Sequence, residues 1–227
     1  MTIHFRREIE KLKKMILALG ALVEETVLNA VQALEETNSI LARNVIESDS
    51  NIDQKEVEVE ETCLKILALH QPVAIDLRYV VAVLKINNDL ERVGDLSVNI
   101  AERAISLSKA KIKTKIYFTD MVEIVIKMLR DSLDALINLD PTLARKVCAL
   151  DDQIDLMHEH KFNDLQKLLI KNPKETPILI QYLSVSRYLE RIADQSTNIA
   201  EDVIYMVEGE IARHNVKKLS LNENSKQ

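Results

Sequence analysis

From Ile178 to Met206, apolar or small residues recur at alternating intervals of four and three without a break. The same stripe runs from Tyr79 to Leu107, 99 residues earlier. An unbroken heptad seam of this kind marks long helices packed nearly parallel to a partner. Its recurrence makes the chain a tandem repeat. The identities agree: Leu90 to Glu102 reads LERVGDLSVNIAE, Leu189 to Glu201 reads LERIADQSTNIAE, and nine of the 13 positions are the same. Upstream the offset is 102, where Asp49, Ile52 and Asp53 recur as Asp151, Ile154 and Asp155. The offset changes because the loop before the sixth helix is built differently from the loop at Pro72.

The rest of the composition fits helices and little else. Three Gly and four Pro in 227 residues leave too few turn-formers for a sandwich or barrel. The prolines stand where helices begin or end. Asp140-Pro141 reads as an N-cap with a first-turn proline, and Thr176-Pro177 reads the same way. Asn38-Ser39 is a weaker break, and KAKIKTK at Lys109 to Lys115 is a basic, non-periodic linker. Six helices are predicted, over 3–37, 39–69, 73–108, 117–138, 141–171 and 177–210. The expected fold is all-α, two tandem three-helix bundles related by a pseudo-twofold, each with its own seam and able in principle to fold alone. The first repeat is 1–108, the linker 109–116 and the second repeat 117–210, followed by a polar tail, 211–227.

Charge and segment lengths exclude several classes. A net charge of −6 does not suit a nucleic-acid partner, which needs a basic surface to displace counterions. The longest run without a charged residue, Thr176 to Ser186, spans 11 residues, short of the roughly 20 that cross a bilayer. No membrane insertion and no secretory signal are expected, and the setting read from the sequence is cytoplasmic. Cys63 and Cys148 have no motif spacing and read as small buried hydrophobes.

The chemistry lies in repeated acids. Asp49/Asp53, Glu91/Asp95, Asp151/Asp155 and Glu190/Asp194 are four copies of one acid-xxx-Asp spacing. On a helix such pairs share a face and repel. A hairpin turn near Gln71 sets Asp53 opposite Leu90-Glu91, and Asp49 opposite Val93 to Asp95. The second repeat behaves alike. Four carboxylates then converge in each half, and a cluster of that kind calls for cations or protons. Oxygen donors suit Mg²⁺, Ca²⁺, Mn²⁺ or iron. Against the seam Glu91 and Glu190 fall at b, and Asp95 and Asp194 at f, faces that are ordinarily just solvated. Their recurrence and convergence favour metal sites in a groove on the outside of the bundle. Glu102 and Glu201 lie on the same stripe as further candidates, and Arg92 and Arg191 would offset the acids without metal. Gly94 and its counterpart Ala193 read as close-packing positions between helices.

Other signals are weaker. Asp151-Asp152-Gln153-Ile154-Asp155 matches the DDxxD of prenyl diphosphate synthases, but Ser50 stands in the first repeat where Asp152 stands in the second. Asp155 and His158 form half of a ferritin-like di-iron spacing with no second half. His158 and His160 point apart on a helix, so one at most would be a ligand. No HExxH, phosphate loop, nucleophile elbow or Cys/His pairing is present. The residues offer no credible catalytic constellation, so no enzyme is expected; the alternatives are a metal-dependent α-helical enzyme acting on diphosphates, or a metal buffer.

LERVGDLSVNIAE and LERIADQSTNIAE, with DSNID and DDQID upstream, resemble the PhoU family across both halves, from about Met15 to Val207. The resemblance implies a cytoplasmic homodimer that restrains phosphate uptake and phosphate-starvation signalling. Its implied partners are the phosphate transporter ATPase and a sensor histidine kinase. It further implies multinuclear metal clusters, iron or zinc first, with manganese, magnesium, nickel or calcium as alternatives. Those clusters would be held by Asp49, Asp53, Glu91, Asp95, Asp151, Asp155, Glu190 and Asp194.

Overall fold

The computed structural model describes residues 3–110 and 113–209. Six α-helices follow one another: α1 (Ile3–Glu36), α2 (Ser39–His70), α3 (Ala74–Ser108), α4 (Thr119–Asn138), α5 (Pro141–Lys171) and α6 (Thr176–Glu208). There is no strand among the described residues. The tail after residue 209 lies outside them.

The helix ends follow local chemistry. Asn38 Oδ1 accepts from the Ile40 and Leu41 amides, and Asp140 Oδ1 accepts from those of Thr142 and Leu143. Each supplies orphan N–H groups of a first turn with an acceptor. Thr176 departs from the expected pattern. A short 3₁₀ turn, Pro173–Glu175, runs straight into α6, and Thr176 is already helical with φ −46° and ψ −48°. Its hydroxyl donates back to the Pro173 carbonyl at 2.8 Å. Pro173 starts the turn, so no capping side chain is used.

The linker is tied down at both neighbours. Thr114 Oγ1 donates to Glu175 Oε2, and the Phe118 amide donates to Glu35 Oε1, both at 2.8 Å. Lys161 reaches the Tyr117 carbonyl and lies over the Phe118 ring.

Helices α1, α2 and α3 pack on one another, as do α4, α5 and α6. The two bundles also share a core. α3 packs along α6 as extensively as along its own bundle partners, and α1 meets α4. This corrects the expectation that each seam is spent within its own half. Arg78 donates to the Met206 carbonyl, Lys85 pairs with Asp202, and Arg103 reaches Gln181, so α3 and α6 run antiparallel. Ser97 and Ser196 are fully buried at matching repeat positions of the two helices. Each hydroxyl donates to its own helix, to Val93 and Ile192, which lets a polar residue sit in the seam.

A second buried row widens the core. Val80, Asn87, Gly94 and Ala101 on α3, and Leu179, Ser186, Ala193 and Ala200 on α6, are buried at intervals of seven beside the seam. A central helix touching three neighbours needs more than an a/d stripe. α1 is by length and composition apolar enough to cross a membrane, which the charge-run criterion did not detect. Leu12, Ile16, Leu19, Val23, Val27 and Leu34, along one face of it, are fully buried in the bundle.

Candidate metal centres

Gly94 sets the geometry of the first cluster. A Cβ on it would stand 3.1 Å from Ile52 Cδ1 and 3.5 Å from Asp49 Oδ1. α2 and α3 therefore touch backbone to side chain at the level of the acids, in the register expected from the turn at Gln71. Gln71 itself closes α2 in the left-handed region, φ 45°. Asn87 Nδ2 donates to the Glu56 carbonyl at 2.9 Å, two turns nearer the hairpin in the same register.

The acids respond to one another. Partial burial and the charges of Asp53 and Asp95 raise the Asp49 carboxyl above its ordinary value. Glu91 is raised by partial burial, then by Asp95, Asp53 and Glu56, against Arg92. In the second cluster, burial raises Asp151 with help from Asp155, Asp152 and Glu190, while a 3.2 Å hydrogen bond from Thr197 opposes it. Asp194 is pushed up to about 6 by desolvation, then by Glu190, Asp151 and Asp155, against Arg191. The structure thus brings Asp49, Asp53, Glu91 and Asp95 together, and likewise Asp151, Asp155, Glu190 and Asp194.

Each cluster has the same anatomy. Asp49, Glu91, Asp151 and Glu190 are half-buried in the groove between two helices, and Asp53, Asp95, Asp155 and Asp194 are exposed at its rim. Among the described residues no three Asp, Glu, His or Cys side chains stand closed around a metal position. The donor set itself, four carboxylates with a partly dry floor, is one that fits hard cations.

The remaining candidates are Glu102 and Glu201. Glu102 is exposed and pairs with its neighbour Arg103 at 3.0 Å. The charge of Glu201 acts on Cys148, one turn before Asp151. Both cysteines are buried, with thiols pushed up to about 12, chiefly by desolvation. Sequence reasoning missed Glu56, Asn87, Ser186 and Thr197. The repeat offsets, applied to His158, would have found Glu56.

A two-repeat, all-helical chain with an acid cluster in each half defines a class of tandem-bundle proteins. The family model described as the PhoU domain matches residues 16–104 and again 118–203. The chain belongs to the PhoU family. A phosphate-specific transport system accessory protein PhoU homolog from Aquifex aeolicus is 39% identical over 209 residues, covering 92% of this chain and 95% of the relative. PhoU homolog 1 from Thermotoga maritima, with the same accessory-protein description, is 36% identical over 213 residues, covering 91% and 90%. The crystal structure of PhoU from Pseudomonas aeruginosa superposes with a TM-score of 0.87 at 36% identity, covering 91% of this chain and all of that one. The family is one of accessory and regulatory proteins rather than enzymes.

Proposed function

We propose that this protein is a cytoplasmic, homodimeric accessory regulator of phosphate uptake and phosphate-starvation signalling. It restrains the phosphate ABC transporter through the transporter's ATPase and acts on a sensor histidine kinase. The support is the family, whose relatives from Aquifex aeolicus and Thermotoga maritima are named as accessory proteins of a phosphate-specific transport system. The observation carrying the metal part is the pair of matched four-carboxylate clusters, whose members raise one another's pKa values. Asp49, Asp53, Glu91 and Asp95 would hold one metal cluster, and Asp151, Asp155, Glu190 and Asp194 the other. Iron or zinc are the first candidates. Bound cations would cancel the repulsion among the acids and cross-link α2 to α3 and α5 to α6.

Deleting the gene tests the regulatory reading. Phosphate-starvation genes are expected to switch on while phosphate is plentiful, and unchanged expression would reject the role. The diphosphate-hydrolysis alternative rests on Asp151-Asp152 and on nothing in the first repeat, where Ser50 replaces Asp152. A saturable hydrolysis rate lost in Asp155→Asn, with normal phosphate signalling in the deletion strain, would establish an enzyme instead. A metal buffer would capture neither the transporter ATPase nor the kinase in a pull-down.

A further inference from the structure

The two clusters are matched in their acids but not in what stands beside them. The offset of 102 that carries Asp49 onto Asp151 carries Glu56 onto His158, and the offset of 99 that carries Glu91 onto Glu190 carries Asn87 onto Ser186. Both pairs bridge equivalent helices. Asn87 Nδ2 donates to the Glu56 carbonyl and lies 3.3 Å from Glu56 Oε1, while His158 Nδ1 lies 2.8 Å from Ser186 Oγ.

In the first repeat the atoms of this pair that could face a cation are all oxygens, since the Asn87 amide nitrogen is spent as a hydrogen-bond donor. Glu56 is part of the cluster electrostatically: its carboxyl is raised by desolvation and by Glu60 and Asp53, and its charge acts on Glu91 in turn. Asn87 stands one turn before Glu91 with its amide against Glu56. It is 1% exposed, and its Oδ1 has no hydrogen-bond partner. A buried amide oxygen without a donor is costly, and a cation beside it supplies what is missing.

In the second repeat a ring nitrogen takes the place of a carboxylate. Ser186 is fully buried and fixes the imidazole through Nδ1. When Nδ1 carries the ring proton and donates it to the serine, Nε2 keeps its lone pair. Holding one nitrogen by a neighbour so that the other can coordinate is how proteins orient histidine ligands. Exchanging a carboxylate for an imidazole also removes one negative charge and one hard donor. Carboxylate and carbonyl oxygens suit Mg²⁺, Ca²⁺ and Mn²⁺, whereas imidazole suits Zn²⁺, Fe²⁺, Co²⁺ and Ni²⁺.

We infer that the two clusters are unequal metal sites. Glu56 and Asn87 complete an all-oxygen site for a hard cation in the first repeat, and His158 makes the second a mixed nitrogen–oxygen site for borderline metals. This rests on the metal reading of the eight acids. The test uses the full-length protein stripped of metal and titrated by calorimetry with Mn²⁺ alone and with Co²⁺ alone. The wild type should show two classes of site whose order of affinity reverses between the metals. His158→Gln should weaken Co²⁺ binding at one site by about tenfold or more and leave the tighter Mn²⁺ site unchanged. Glu56→Gln should weaken that Mn²⁺ site and spare the tighter Co²⁺ site. NMR of the wild-type histidine side chains provides a readout independent of any variant's folding, since Zn²⁺ should shift the His158 resonances at the first equivalent bound. Two sites of the same preference, with no His158 shift, would overturn the inequality and leave the metal reading standing. No binding of either metal would overturn both.

Discussion

Asp49 Oδ1 and the missing side chain of Gly94 face each other across the α2/α3 interface, 3.5 Å from oxygen to where a Cβ would stand. Glycine here allows the close approach that brings the acids of two helices to one level. Ala193 holds the same place in the second repeat and is fully buried. Gly94→Ala should therefore be nearly neutral, because the gain in helix propensity of about 1 kcal/mol offsets a small shift of Ile52. Gly94→Val should cost about 1–3 kcal/mol by overpacking and weaken metal binding at the first cluster. Urea denaturation of metal-free protein checks the stability, and a Gly94→Val midpoint equal to wild type would refute the close contact.

Stability of the metal-free protein should fall as pH rises from about 4 to about 6. Asp194 titrates near 3.8 when unfolded and about 6 when folded. Below that window both states hold the proton. Inside it the unfolded chain ionises first, and above it the folded protein carries the full repulsion. Asp49, Glu91 and Asp151 shift in the same direction. Asp194 is exposed at its rim, so solvent screening keeps its own share under about 1 kcal/mol. Denaturation midpoints across this range should slope downward, and less so in Asp194→Asn. A flat or rising profile would count against the convergence of the acids.

Removing Glu91 and Asp95 together, by alanine, should empty the first cluster and leave the second filled. Elemental analysis of protein purified without chelator reads this directly. Metal content equal to wild type would reject the assignment. Compared without metal, the double variant should lose little stability, because both side chains lie off the packed seam.

The caps of the helices should differ in worth. Asp140→Ala should cost about 1 kcal/mol, since it removes an acceptor shared by two first-turn amides. Glu175→Gln, which keeps an acceptor for Thr114 at a helix start without a side-chain cap bond, should cost less than about 0.5 kcal/mol. Equal losses on thermal melting would show that the 3₁₀ entry to α6 is not self-sufficient.

Leu139 ends α4 in the left-handed region, φ 53°, with its amide donating to the Ala135 and Leu136 carbonyls. A branched residue there bears a steric cost that glycine does not. Leu139→Gly should stabilise the protein by about 0.5–1 kcal/mol. A lower melting temperature would mean that contacts of the leucine side chain outweigh the backbone strain.

The heptad seam, the prolines and the repeat offsets determined the six helices to within a residue or two at most ends. These are local properties: period, capping chemistry and turn position act within a few residues. The acids were legible for the same reason, since spacing along a helix and register across a hairpin follow from helix geometry. Tertiary structure decided the rest. That α3 and α6 share a core depends on which faces remain after each bundle has formed, and a stripe does not name its partner. Gly94 and Ala193 were legible as close-packing positions, but the buried row that adds Asn87 and Ser186 to them is visible only once three helices surround each central one. The surroundings of Glu56 and His158 belong to the same level, because their partners stand about 30 residues away in sequence and meet them only across a packed interface.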